Sequence, residues 1–331
     1  MRTERADVVI VGGGLLGLST AWALRGRRDV LVLERDSVGH ARGGSHGPTR
    51  IFRLGYMDPN YVAMAQRAAE QWRALEADTG VQLLHPTPQL TFGLGADAVF
   101  AALDLAGAPV EHITAAAIEA RFPAFAGRGD AVLEGGSAVI AADRTLETLR
   151  AHAGAELREH VRVNCVDAHR VETDNERIDA NAVVVCAGPW TRALVPAVPT
   201  SPTLEHVGYV RTGEGLPIFI DFTEPAVYGL PTPGSDLYKV AVHHGGSVID
   251  PDAPFTRDEG AVAALQAAIA QWLPGGELVE VDVCPYDNTA DERFVIERMN
   301  GIVVGAGTSG HAFKFGPLLG AQLAELVLAD A

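Results

Sequence analysis

One short segment, Val8 to Glu34, limits what this chain can fold into more than any other. Val8–Val11 is an apolar run suited to a buried strand, and Leu15–Leu24 has the length and composition of a helix. Val30–Leu33 is a second buried-strand run and ends on Glu34. Between the first strand and the helix stands Gly12-Gly13-Gly14-Leu15-Leu16-Gly17, which fits GxGxxG. Gly12 permits the tight turn, Gly14 lets the backbone approach a pyrophosphate, and Gly17 lets helix and strand pack closely. The helix start, with Leu15 and Leu16, then offers free N–H groups and a partial positive charge to the phosphates. Glu34, twenty residues beyond Gly14, is placed to accept hydrogen bonds from adenosine ribose hydroxyls, and its charge disfavours a 2′-phosphate. A glycine-rich turn alone is weak evidence. With strand, helix and acid in register it predicts an ADP-containing cofactor, without separating NAD from FAD.

The rest of the first half also reads as α/β. A helix over about Asn60 to Glu76 repeats Tyr61, Ala65, Ala68, Trp72 and Leu75 on one face, and Ala182–Val185 reads as a strand before Gly188-Pro189-Trp190. The middle of the chain changes character. Runs at Leu90–Leu94, Val207–Val210, Ile218–Phe222 and Leu237–His243 are short and separated by Gly and Pro, as in an antiparallel sheet. Thr256-x-x-Glu259 reads as a capping box opening a helix that Pro274 ends. The chain then returns to a strand at Ile302–Val304, a glycine-rich turn and a helix from about Pro317. The fold class expected is α/β, a Rossmann-like nucleotide domain with an inserted antiparallel-sheet substrate domain. The boundaries are 1–80, 137–203 and 290–331 for the first, and 81–136 and 204–289 for the second.

Composition narrows the class of function. The 331 residues carry 26 Lys and Arg against 42 Asp and Glu, a formal charge of −16, which repels nucleic acid and anionic lipid. Three cysteines, Cys165, Cys186 and Cys284, without a CxxC make a disulfide framework or a zinc site unexpected, so no metal is assigned. Cys165 and Cys186 read as core residues. The apolar run begins only at Val8 and no stretch is long enough to span a bilayer, so the expectation is a soluble cytoplasmic protein.

Four further segments carry a resemblance. They are Gly44-Ser45-His46-Gly47-Pro48-Thr49-Arg50-Ile51-Phe52-Arg53, then Tyr228-Gly-Leu-Pro with Lys239-x-x-x-His243, then Cys284 to Phe294, and Gly307 to Phe315. In this order they resemble the monomeric sarcosine oxidase family of flavoprotein amine oxidases, within the D-amino-acid-oxidase superfamily, and the likeness covers nearly the whole chain. It implies FAD rather than NAD, with Cys284 as a thioether attachment site for the flavin. It implies that Arg53 and Lys314 bind a substrate carboxylate, with Arg50 nearer the flavin ring. Lys239 is implied to stabilise superoxide as dioxygen takes its first electron, and His243 to stand in the substrate cavity, with neighbouring His244 as the alternative. Tyr228 and Tyr286 match tyrosines lining that cavity. Cofactor contacts extend to Arg35, Ser45, Thr49, Val163, Gly188, Gly307, Gly310, His311 and Lys314. His46 stands where the family usually offers two histidines and is expected to be structural or cofactor-contacting.

From the residues alone, Arg50 and Arg53, three apart, fall on one side of a helix or turn, and a guanidinium can grip a carboxylate bidentately. If Leu237–His243 is a strand, Leu237, Lys239, Ala241 and His243 share one face. The implied reaction is oxidation of a secondary amino acid, sarcosine or a larger N-substituted glycine. The carbon next to nitrogen delivers hydride to flavin N5, the imine hydrolyses, and O2 becomes H2O2. The family also implies a monomer acting on a small molecule. Two rival readings are a glycine or D-amino-acid oxidase with non-covalent FAD, and a flavin-binding electron-transfer subunit without its own substrate.

Overall fold

The apolar run before the glycines forms the middle of a parallel sheet in the computed structural model, which describes residues 2–212 and 215–329. Strand Arg2–Val11 pairs in parallel with Val30–Leu33 on one side and with Glu176–Val185 on the other. Ile302–Ala306 extends the sheet in parallel beyond Glu176–Val185. Val9, Ile10, Val183, Val184, Val303 and Val304 are fully buried, because helices or chain cover both faces, so these strands show no apolar–polar alternation. Helix Leu15–Leu24 packs against helix Gly316–Leu328 at small residues: a Cβ on Gly320 would lie 2.5 Å from Ser19.

A second, nine-stranded sheet is built from two separate stretches of chain. Its long strand Ser201–Arg211 pairs antiparallel with Leu237–Val242 and with Glu277–Asn288. The two stretches meet at the sheet's one parallel pair, Gln89–Phe92 with Ile218–Asp221. Helix Glu259–Trp272 covers one face, with Trp272 stacked on Phe219 at 4.3 Å between ring centroids. A small third sheet joins Thr49–Phe52 and Leu84–Pro86 to Ala138–Ala141.

Two local readings need correction. The helix that covers the second sheet is capped by Asp258, whose side chain accepts from the Ala261 amide, and not by Thr256 two residues earlier. Aspartate reaches an N3 amide as well as threonine does, and here it is the residue in extended conformation. Cys165 is exposed rather than part of a core, because Val163–Asp167 forms the margin of the first sheet. Among the described residues no helix is long and apolar enough to cross a membrane.

Candidate active site

A cavity of about 270 Å³, open to solvent, separates the two large sheets. Its lining runs from the glycine loop to the second sheet, an extended shape that suits a dinucleotide. One wall is made by the carboxyl ends of the parallel strands at Val11, Leu33, Cys186 and Gly305, where open α/β sheets place ligands. The glycine loop fits a pyrophosphate on steric grounds. A Cβ on Gly12, at φ +107°, would lie 2.3 Å from the Cys186 carbonyl oxygen, and one on Gly17 would lie 1.9 Å from that of Gly12. At Gly14 only the Ser45 hydroxyl lies within 4 Å, so there the backbone is bare toward the cavity. Gly12→Val is therefore expected to yield protein lacking flavin absorbance, and wild-type flavin content in that variant would refute the fit.

Glu34 is buried with both carboxylate oxygens engaged: Gly13 N donates to Oε2 at 2.7 Å and Asp36 N to Oε1 at 2.9 Å. Burial alone would raise its pKa, but hydrogen bonds from His40 and these two amides outweigh it and hold the group below its ordinary value. At the same end, Asp252 accepts from Arg35, Trp190 and Arg162, and Arg35 lies over the Trp190 ring at 4.8 Å. Val163 and Gly188 stand in the wall beside them.

The opposite wall comes from the second sheet. On strand Glu277–Asn288 alternation turns Cys284 and Tyr286 to the same side, and both line the cavity. Pro285 is tolerated because this strand is an edge, paired among the described residues only with Ser201–Arg211. Cys284 Sγ lies 3.8 Å from Arg50 Nη2 and 3.8 Å from the Gly44 carbonyl oxygen. Arg50 is fixed by donating to the carbonyls of Thr49, Gly44 and His46. His46 bridges Gly43 O and Asp282 Oδ2, at 2.7 and 3.2 Å, and stands outside the cavity wall as a structural tie. Lys239 is buried on strand Leu237–Val242, across Ser201–Arg211 from the Cys284 strand, and its ammonium makes no hydrogen bond among the described residues. Burial, then the like charge of Arg50, brings its pKa down to about 7.

Arg50 and Arg53 are not on one side of a helix or turn. Thr49–Phe52 is a strand, held by Ala138–Ala141, and an odd separation in extended chain turns side chains to opposite faces. Arg50 thus reaches the cavity, while Arg53 lies over the Tyr56 ring at 4.1 Å and donates to the Gly55 carbonyl. Lys314, also buried, donates to Tyr56 Oη at 3.0 Å and to His311 O at 2.7 Å. Burial and the nearby Arg53 charge drive the Lys314 ammonium well below its ordinary pKa.

The FAD-dependent oxidoreductase (DAO) family model matches residues 7–326. The chain belongs to this family. Human peroxisomal sarcosine oxidase is 32% identical over 97% of the chain and 91% of its own length. Monomeric sarcosine oxidase of Bacillus sp. strain B-0618 is 30% identical over 97% and 92%. Among solved structures, the open form of NikD, an unusual amino acid oxidase essential for nikkomycin biosynthesis, superposes with a TM-score of 0.87 at 27% identity, over 99% of this chain and 95% of that one. The cofactor of this oxidoreductase is therefore FAD.

The residues singled out in the sequence divide into two groups around the FAD cavity of this DAO-family enzyme. Gly12, Gly14, Leu15, Leu16, Glu34, Arg35, Ser45, Arg50, Gly310 and the residues of the second wall, Tyr228, Lys239, Cys284 and Tyr286, line it. Arg53, His243, His311 and Lys314 form an adjoining cluster joined to it through the rings of Tyr228 and Tyr286, which His243 meets edge-on. Burial, then His244, lowers the His243 pKa to about 3, and burial with Lys314 does the same for His311, so both rings are neutral. His244 instead turns to Glu292, at 3.3 Å. Gly17, Thr49 and Gly307 stand outside the wall: Gly17 packs helix on strand, Thr49 donates its hydroxyl to Pro231 O, and the Gly307 amide is bound by Asp287.

Three acids and a tyrosine were not foreseen. Glu134, fully buried, accepts from the amides of Leu54 and Gly55 and so shapes the turn after Arg53. Tyr56 is the hydroxyl that Lys314 and His311 share. Asp282 anchors His46, and Asp287 lines the cavity.

Proposed function

We propose that this enzyme oxidises the carbon next to nitrogen in an amino acid carrying a substituted nitrogen, sarcosine or a larger N-substituted glycine. The observation that carries the reading is the pairing of two cations, half-buried Arg53 and buried Lys314, beside the wall that holds Lys239 and Cys284. Two neighbouring cations, one buried and one half-buried, with only neutral hydrogen-bonding partners call for an anion, and an amino acid supplies one. The sarcosine oxidases among its relatives support the same class of substrate.

Bound FAD supplies hydride acceptance at N5 and re-oxidation by O2 with release of H2O2. The protein's residues orient and desolvate. Arg53 and Lys314 hold the carboxylate, neutral His243 with Tyr228 and Tyr286 shapes the space for the nitrogen substituent, and Lys239 and Arg50 keep positive charge beside the ring. Cys284 tethers the flavin in this reading. We propose further that the enzyme acts as a cytoplasmic monomer, that residues 1–80, 137–203 and 290–331 carry FAD, and that the intervening segments carry the substrate.

An anaerobic screen of N-alkyl amino acids against the holoenzyme should show flavin bleaching with members of this class and peroxide on admitting air. No bleaching with any of them, in flavin-loaded protein, would overturn the proposal. Flavin remaining on acid-precipitated protein, and released from Cys284→Ser, is the expected sign of the tether.

A further inference from the structure

Strand Glu277–Asn288 brings a second acidic group to the cofactor cavity that the proposed reaction does not use. Asp287 is 1% exposed and lines the cavity. Its Oδ2 accepts the Gly307 amide at 2.9 Å and its carbonyl accepts the Ser309 amide at 2.9 Å. The side chain is thereby locked to the turn whose Thr308 and Gly310 also face the cavity. Its Oδ1 is buried and makes no hydrogen bond. No cation neutralises it among the described residues. The charged groups on the surrounding elements are committed elsewhere: Arg192 donates to Thr200 O, Lys314 to Tyr56 and His311 O, Glu205 accepts from Thr203 and Gly246, and Glu292 pairs with His244.

A carboxylate in this position has an electrostatic consequence. Asp287 is three residues beyond Cys284, about 10 Å along an extended strand, and this odd step turns its side chain away from Cys284 to the Gly307 turn, where it borders the same cavity. Reduction of the oxidised flavin by two electrons and one proton leaves the ring with one negative charge. We infer that Asp287 holds the reduction potential of the bound FAD low, by opposing that charge with its own carboxylate. Two unit charges about 10 Å apart at an effective dielectric near 20 repel enough to shift an equilibrium roughly tenfold, the scale expected here. The inference rests on FAD binding and not on the identity of the substrate.

Burial pushes the Asp287 carboxyl up to about 6, against the Gly307 amide, which pulls it the other way. The opposing charge is therefore present above pH 6 and absent well below it. On reduction the new charge raises the Asp287 pKa by about one unit, so between about pH 6 and 7 a second proton accompanies the two electrons, and above that interval one proton does.

The test is the midpoint potential of the holoenzyme, measured by reductive titration with dithionite and a reference dye, for wild type and Asp287→Asn. The amide keeps an acceptor for Gly307 N and removes the charge. At pH 8 the variant should reduce about tenfold more favourably, a shift of about +30 mV for a two-electron couple, and the gap should close toward pH 5. Sulfite, which adds through sulfur to the oxidised ring and leaves it anionic, should bind the variant about tenfold more tightly at pH 8. Equal potentials and equal sulfite affinities at pH 8 would overturn the inference. Should the asparagine variant not load flavin, Asp287→Thr gives the same comparison. Wild type alone also decides: a potential falling with the slope of one proton per two electrons throughout pH 5 to 8 rules the coupling out. Substrate inactivity would leave every one of these readings intact.

Discussion

Replacing Lys239 by methionine is expected to slow re-oxidation of the reduced enzyme by dioxygen about 10²–10³-fold, the usual loss when one preorganised charge is removed from a site where charge develops. Reduction by substrate should keep its rate, so stopped-flow traces of the two half-reactions separate the effects. The reason lies in where the ammonium is held. It is buried on a rigid strand in the cavity wall, makes no hydrogen bond among the described residues, and shares the wall with Arg50. Its pKa is brought down to about 7 by burial and by Arg50, so the charge is present below that value and lost above it. The oxygen reaction of the wild type should accordingly decline as pH rises past neutrality, with the inflection moved upward by the negative charge on the reduced ring, while the variant stays flat. Stability should move the opposite way from activity. The folded pKa of about 7 lies below the ordinary 10.5, so the residue costs stability as pH falls through this interval, in full below 7. Lys239→Met should therefore melt higher than wild type at pH 6 and by a smaller margin at pH 9. An oxygen rate within a few-fold of wild type would show that Lys239 does not serve this step.

The parts of this site that could be read in the sequence are those that depend on local geometry. Gly12, Gly14 and Gly17 are forced by contacts within one strand–turn–helix, and Glu34 follows an apolar run that leaves no doubt where the strand ends. Helix Leu15–Leu24 and strand Val30–Leu33 keep the limits that their sequences suggest. The Arg50–Arg53 segment was harder, because Gly47 and Pro48 immediately before it suggest a turn. What makes Thr49–Phe52 a strand is its partner Ala138–Ala141, some ninety residues away in the chain. The same limitation applies to the parallel pair Gln89–Phe92 with Ile218–Asp221, which no short-range pattern announces. Glu134 did carry a signal. Ala131-Val132-Leu133-Glu134 repeats the pattern of Val30–Leu33 followed by Glu34, an apolar strand ending in a single acid, and both acids bind backbone amides of a nearby turn. Asp287 carried less, since its role depends on the turn at Gly307 and on the cavity between two sheets.

The substitution Arg53→Met is expected to lower kcat/KM for N-alkyl amino acids about 10²–10³-fold, within the 2–5 kcal/mol range for removing one partner of a buried charge contact. Arg53→Lys should fall between, because a lysine keeps the charge but cannot present a planar fork. The size of the effect follows from the surroundings. The guanidinium is held over Tyr56, and Glu134, Lys314 and His311 all feel its charge. Glu134 is fully buried, and burial raises its pKa while the Leu54 amide and Arg53 lower it, so removing Arg53 leaves that carboxylate less well compensated. Arg53→Met should thus lose stability as well as activity. Lys314→Met should lose activity but gain stability, since the Lys314 ammonium is disfavoured by both burial and Arg53. The opposite signs on melting temperature, with the same sign on kcat/KM, separate a carboxylate clamp from a purely structural pair. The decisive comparison uses two substrates. If Arg53 and Lys314 grip a carboxylate, both variants should discriminate far less than wild type between an N-methyl amino acid and the corresponding N-methyl amine without the acid. Equal losses on the two substrates would remove the clamp from the mechanism and leave these cations a role in folding alone.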